Sequence, residues 1–132
     1  MIKVAIADDH KLFKEGVYFM IDRMDDIQLI YDADDGRELL KEMEENGTPD
    51  VLLLDLDMPE MDGIETLRLI RAKYRKVGII MFMLNKNVKY EAYVRDLEAN
   101  GCLPKDVYTP ELQKAIRTVF EGESYFPNLF RR

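Results

Sequence analysis

The chain has 132 residues, 47% of them apolar and 34% charged, the balance of one folded domain rather than of a disordered segment. Its net charge of −7 argues against a nucleic-acid-binding module, which needs clustered lysines and arginines. Its one cysteine, Cys102, excludes an intrachain disulfide, no apolar run approaches the roughly 20 residues of a membrane span, and no signal peptide precedes the first apolar run, so a soluble, cytoplasmic protein is expected.

Apolar runs alternate with amphipathic stretches along the chain. Ile2–Ala7 predicts a first strand, followed at once by Asp8, Asp9 and His10. A first helix carries Leu12, Phe13, Gly16, Val17, Met20 and Met24 on one stripe. Ile27–Tyr31 predicts the second strand, and Asp32, Asp34, Asp35 and Glu38 after it predict a solvated acidic patch. A second helix shows Leu39, Leu40 and Met43 and is closed by Asn46-Gly47-Thr48-Pro49. The third strand, Val51–Leu54, leads into Asp55, and a third helix carries Ile64, Leu67, Ile70 and Tyr74. Val77–Leu84 predicts the fourth strand, and Tyr90, Tyr93, Val94 and Leu97 the stripe of a fourth helix. Gly101–Leu103 predicts the fifth strand, with Lys105 just beyond it. Thr109 and Pro110 look like the N-cap and first residue of a last helix bearing Leu112, Ala115, Ile116 and Val119, with Gly122 near its end.

Short continuous apolar strands alternating with helices are covered on both faces, so the sheet is expected to be parallel. Five such units predict an α/β, flavodoxin-like, doubly wound five-stranded sheet of order 2-1-3-4-5 in three layers. Ligands of such sheets sit beyond the carboxyl ends of the strands, where the strand order reverses. That point lies between the first and third strands, where Asp8, Asp9 and Asp55 would converge, with Lys105 on the same edge.

Three carboxylates within a few ångströms repel, and a hard divalent cation is the economical compensation. Mg²⁺ takes one or two carboxylates and leaves positions for phosphate oxygens. Lys105 supplies a point charge for a phosphate oxygen or a bare carboxylate. The set suits phosphoryl transfer to Asp55, a nucleophile forming an aspartyl phosphate. The bland alternative is that Asp8 and Asp9 cap the first helix and Asp55 begins a turn.

The segments IADDH (Ile6–His10), LLLDLDMPEMDG (Leu52–Gly63) and GCLPKD (Gly101–Asp106) carry a resemblance. The chain resembles the receiver domain of bacterial two-component response regulators over nearly its whole length. The DDH form and PELQKAIRTVFEG (Pro110–Gly122) are similar to the LuxR-type (NarL/FixJ) subfamily. The resemblance implies Asp55 as the phosphorylation site, served by a histidine kinase. It implies Mg²⁺ at Asp9, Asp55 and the backbone carbonyl of Asp57, with Asp8 holding metal-bound water and Lys105 contacting the phosphoryl group. Pro59 and Gly63 would shape the loop after the third strand. It further implies a signalling module rather than an enzyme, residues 1–122 as the receiver, and residues 123–132 as the start of a linker to a DNA-binding output domain absent from this chain. A homodimer is a further expected partner.

Two positions depart from that family's pattern. Its members usually carry Ser or Thr at the end of strand 4, which here is Met83, and an aromatic residue three places before the lysine, which here is Cys102. A thioether cannot donate a hydrogen bond. Phosphorylation at Asp55 is therefore expected alongside an altered or weak readout. A pseudo-receiver, binding or dimerising without regard to phosphate, is the rival reading. An aspartate-nucleophile phosphatase built on Asp55-Leu56-Asp57 is the third. His10 is expected to be exposed or to cap the first helix, Cys102 to be a small packing residue, and the eight methionines to fill the core. The apolar ending Tyr125–Phe130 either packs back on the domain or leads to the output domain, and the resemblance favours the second.

Overall fold

The computed structural model describes residues 1–56, 58, 62–84 and 88–127, with the backbone alone for Val88. Five strands form, β1 (Ile2–Ala7), β2 (Ile27–Ala33), β3 (Val51–Asp55), β4 (Gly78–Met83) and β5 (Gly101–Pro104). Five helices alternate with them, α1 (Lys11–Asp22), α2 (Gly36–Asn46), α3 (Gly63–Lys73), α4 (Val88–Asp96) and α5 (Thr109–Phe120). The sheet is parallel throughout, in the order β2-β1-β3-β4-β5.

The alternation of side chains along each strand divides the core in two. Val4, Ile6, Leu53, Ile80, Phe82 and Leu103 face α1 and α5, where Val17, Ile21, Leu112 and Ile116 cover them. Ala5, Ala7, Leu52, Leu54, Ile79, Met81 and Cys102 face the other side, under Leu39, Met43, Leu67, Ile70 and Val94. Three layers follow, and both faces of the central strands are dry, which is why β3 and β4 are apolar without alternation. Met81 and Met83 are buried in this core as expected of filler.

The helix stripes differ from expectation in two places. Leu12 is 83% exposed, and α1 buries Lys14 instead. That lysine ion-pairs with Asp34, with Asp32 at 4.0 Å, so part of the supposed solvated acidic patch is structural. Asp35 caps α2 by accepting from Glu38 N at 2.9 Å, and Glu38 reaches back to Asp34 N. In α4, Tyr90 and Tyr93 lie outward at 39% and 42% exposure, and the inward positions are Glu91 and Val94. A carboxylate on the core side of a helix is what a hydrophobic stripe count misses. The N-cap of α5 is Tyr108, one residue before the expected Thr109, with Pro110 in the first turn.

The guanidinium of Arg71 ties the far end of the sheet together. The residue is 6% exposed. Its nitrogens donate to the carbonyls of Glu98, Tyr74, Arg75 and Val77 and to Asn100 Oδ1 at 2.8–3.3 Å. Tyr74 is the C-cap of α3 and Arg75 follows it, so the arginine holds the turn that leaves that helix. Glu98 sits at φ +70°, a left-handed conformation rare for a side chain of its kind.

Residues 123–127 stay with the domain. Tyr125 bridges Gly101 in parallel on the outer edge of β5, donating from its N to Asn100 O and accepting at its O from Cys102 N. Its hydroxyl donates to Glu111 Oε2 at 3.0 Å, and Arg95 stacks on Phe126 at 4.0 Å from the ring centre. This packing realises the first of the two expectations for Tyr125 and Phe126; Asn128 to Phe130 lie outside the described residues.

Candidate functional site

Chain reversal places the site. From β1 the chain winds to β2 on one side and then to β3 on the other, so the carboxyl ends of β1 and β3 flank an open crevice. Asp8 follows β1 and is wholly buried; Asp55 is the last residue of β3 and is 3% exposed. Lys105 follows β5 and crosses β4 to reach them. Its Nζ lies 2.8 Å from Asp8 Oδ2 and 3.2 Å from Asp55 Oδ1, and it passes 4.9 Å from the centre of the Phe13 ring. Asp9 stands at the mouth, more exposed.

Local backbone fixes Asp8. Its N donates to Ala33 O at 3.0 Å, and its Oδ1 accepts from His10 N at 2.8 Å. That turn is why the carboxylate points into the crevice rather than into solvent. The expected alternative, that these aspartates cap α1, does not describe Asp8. The N-cap of α1 is His10, and its own side chain makes no capping hydrogen bond. Lys105 holds the Asp55 carboxylate at 3.2 Å.

Four ligand-bearing side chains come together, Asp8, Asp9, His10 and Asp55, with one ligand atom of each within 4.8 Å of the others. Sequence reading brings Asp8, Asp9, Asp55 and Lys105 to one place, and the structure does the same. It leaves His10 out, and the structure puts it in. The signal was present in its position next to the acid pair. Asp57 and Pro59 lie outside the described residues.

The donor set fits a hard divalent cation. Two of the three carboxylates are buried, and Asp8 Oδ2 accepts no aligned hydrogen bond beyond its ion pair. Buried charge of one sign needs either the lysine or a cation. Asp9 opens toward the mouth, the side from which a second anion would arrive.

Gly63 holds the floor. A Cβ there would meet the backbone of Asp55 and stand 2.7 Å and 2.8 Å from Leu56 Cα and O. Gly63 N donates to Leu56 O at 2.9 Å, tying the start of α3 to the end of β3. Gly63→Ala therefore cannot be absorbed by a side chain moving aside. The expected outcome is a loss of about 3 kcal/mol, roughly a 10 °C fall in melting temperature, read by thermal unfolding.

The two departing positions are both core. Met83 ends β4 and is 1% exposed, its carbonyl accepting from Lys105 N at 3.1 Å. Cys102 is wholly buried; burial, with the Glu91 carboxylate adding to it, pushes the thiol from 9.0 up to about 12. Burial likewise pushes Tyr31 and Tyr125 up to about 12. Groups that hold their protons more tightly when folded stabilise the fold below their ordinary pKa. That contribution is lost as pH climbs, from 9.0 for the thiol and 10.0 for the tyrosines toward about 12. Melting temperature should thus decline between pH 9.0 and 12, and Cys102 should resist a thiol reagent at pH 8 until the protein unfolds.

A model of the response regulator receiver domain matches residues 4–117. The chain belongs to that family. Receiver domains are signalling proteins. Among curated relatives, the transcriptional regulatory protein DegU of Brevibacillus brevis is 31% identical over 124 residues, 94% of this chain and 52% of its own length. The nitrate/nitrite response regulator NarL of Escherichia coli K12 is 32% identical over 120 residues, 91% of this chain and 55% of its own. The chain thus spans about half the length of the curated relatives it matches. Among solved structures, the isolated receiver domain of RcsB from Salmonella enterica serovar Typhimurium with the phosphomimetic BeF₃⁻ superposes with a TM-score of 0.88 at 25% identity, covering 98% of this chain and 95% of that one. A LuxR-family two-component response regulator from Aurantimonas sp. SI85-9A1 gives 0.87 at 26%, covering 95% and 89%. The chain is thus a LuxR/NarL-type receiver with the flavodoxin-like strand order expected of it. No helix among the described residues is long and apolar enough to cross a membrane.

Proposed function

We propose that this receiver accepts a phosphoryl group on Asp55 from a phosphohistidine of a partner kinase. The observation that carries the reading is the Lys105 ammonium shared between two buried carboxylates, Asp8 and Asp55, at the carboxyl edge of the sheet. A carboxylate oxygen of Asp55 attacks phosphorus. A P–O bond forms as the donor's P–N bond breaks, and the electron pair stays with the leaving imidazole. Lys105 turns from the carboxylates to a phosphoryl oxygen and offsets the incoming charge. Asp8, Asp9 and Asp55 would hold a divalent cation of the Mg²⁺ type, to which the resemblance adds the carbonyl of Asp57. When bound, that cation supplies charge neutralisation between two approaching anions.

The proposed wider role is transcription control in the cytoplasm. Residues 1–122 form the receiver, and residues beyond 122 lead through a linker to a DNA-binding output domain, with homodimerisation as the accompanying assembly. The half-length coverage of the relatives supports this. Met83 and Cys102, both buried where a hydroxyl and an aromatic ring are usual, favour a second reading, a pseudo-receiver indifferent to phosphate.

Incubation with a small-molecule phosphodonor and Mg²⁺, read by intact mass and amide shifts, separates the two. The proposal expects one phosphoryl group per chain. No gain in mass supports the pseudo-receiver. A gain in mass with still amides across residues 84–108 places the departure in the readout alone.

A further inference from the structure

The chain has a single histidine, His10. Its side chain is 52% exposed and forms no cap on α1. Instead Nδ1 is turned into the acidic crevice. It lies 3.0 Å from Asp8 Oδ1, 3.7 Å from Asp9 Oδ1, 4.0 Å from Asp55 Oδ2 and 2.8 Å from Lys105 Nζ.

Those neighbours make opposite demands. An ionised carboxylate only accepts, and an ammonium only donates. At 2.8 Å from Lys105, Nδ1 must present its lone pair; at 3.0 Å from Asp8 Oδ1, it would need a proton. One nitrogen cannot serve both, so Nδ1 accepts from Lys105 and its lone pair faces the cation that Asp8 and Asp55 also hold. The Lys105 ammonium already stands among Asp8 Oδ2, Asp55 Oδ1 and His10 Nδ1. A metal ion in its place would turn the imidazole lone pair and the carboxylate oxygens into donors to one centre, with Lys105 released toward an arriving anion.

The kind of ion follows from the donors. Mg²⁺ prefers an all-oxygen shell of octahedral geometry. Imidazole nitrogen suits borderline transition ions such as Co²⁺ and Zn²⁺. The four ligand atoms lie within 4.8 Å of one another. An octahedral shell of about 2.1 Å radius spans about 4.2 Å between opposite ligands, so a small inward movement closes it.

We propose that His10 Nδ1 is a ligand to the cation held by Asp8, Asp9 and Asp55, and that it gives the pocket a selectivity for borderline transition ions over Mg²⁺. This rests on the reading of the crevice as a cation site.

The test is calorimetric titration of the whole chain with Co²⁺ and, separately, with Mg²⁺. It is run on the parent, His10→Ala, His10→Asn and Asp55→Asn. His10→Asn keeps a residue suited to the start of α1, so loss of the helix end cannot mimic loss of a ligand. Both His10 variants are expected to lose about ten-fold or more in Co²⁺ affinity and distinctly less in Mg²⁺ affinity, so that the ratio of the two falls. The single imidazole should show a direct hyperfine shift of its ring nitrogen with Co²⁺. An unchanged ratio of Co²⁺ to Mg²⁺ affinity in both variants overturns the proposal and leaves the cation site standing. Binding of neither ion by the parent, or full binding of both by Asp55→Asn, overturns the cation site as well.

Discussion

Asp55→Asn should gain no mass from a phosphodonor under conditions that fully modify the parent. The amide has no anionic oxygen to form the new P–O bond, and the effect is total rather than graded. It should not be confused with loss of the fold. Asn is nearly isosteric, Asp8 keeps its 2.8 Å ion pair with Lys105, and one of two buried like charges is gone. The metal-free variant should therefore melt no lower than the parent, which thermal unfolding checks. A variant that still takes up one phosphoryl group would move the acceptor elsewhere and remove the central claim about the site. A variant that melts much lower would mean that Lys105 needs both carboxylates for stability.

Arg71→Ala should lose about 4 kcal/mol, the largest stability effect expected of a single side chain outside the crevice. The guanidinium donates to four backbone carbonyls and to Asn100 Oδ1, which also accepts from Ile79 N at 2.8 Å. Burial lowers its pKa, opposed by Glu98, and its charge survives through the number of partners. Alanine strands those acceptors and releases Glu98 from its positive φ. Arg71→Lys should recover less than half, because an ammonium is a single point without the planar fork. Urea unfolding at neutral pH measures both. A loss under about 1 kcal/mol for Arg71→Ala would show that water satisfies the carbonyls as well as the arginine does.

The acidic corner is legible in the sequence and the opposite end of the sheet is not, for a physical reason. Asp8, Asp55 and Lys105 each end an apolar run, so strand order alone converts three sequence positions into one place. Arg71 gives no such signal. It sits in a helix among other charges, and only the closure of α3 against the turn before β5 makes it buried. Glu91 gives no signal either, since Tyr90 before it and Tyr93 two places after it outweigh it in the stripe. His10 is expected to be exposed or to cap the first helix; it is exposed and stands at the N-cap position, and only the tertiary packing shows that Nδ1 turns into the crevice.

The seat of Tyr125 and Phe126 has a mechanical consequence. Cys102 and Asn100 grip the exiting backbone, and Arg95 clamps the next ring from α4. Cβ on Gly101 would strike Tyr125 O at 2.5 Å, so the grip leaves no slack. A rotation of α4 would pull on residues 125–127 through Arg95, without needing a hydroxyl at position 83 or a ring at position 102. The contact is a lever whose short arm is one cation on one aromatic face.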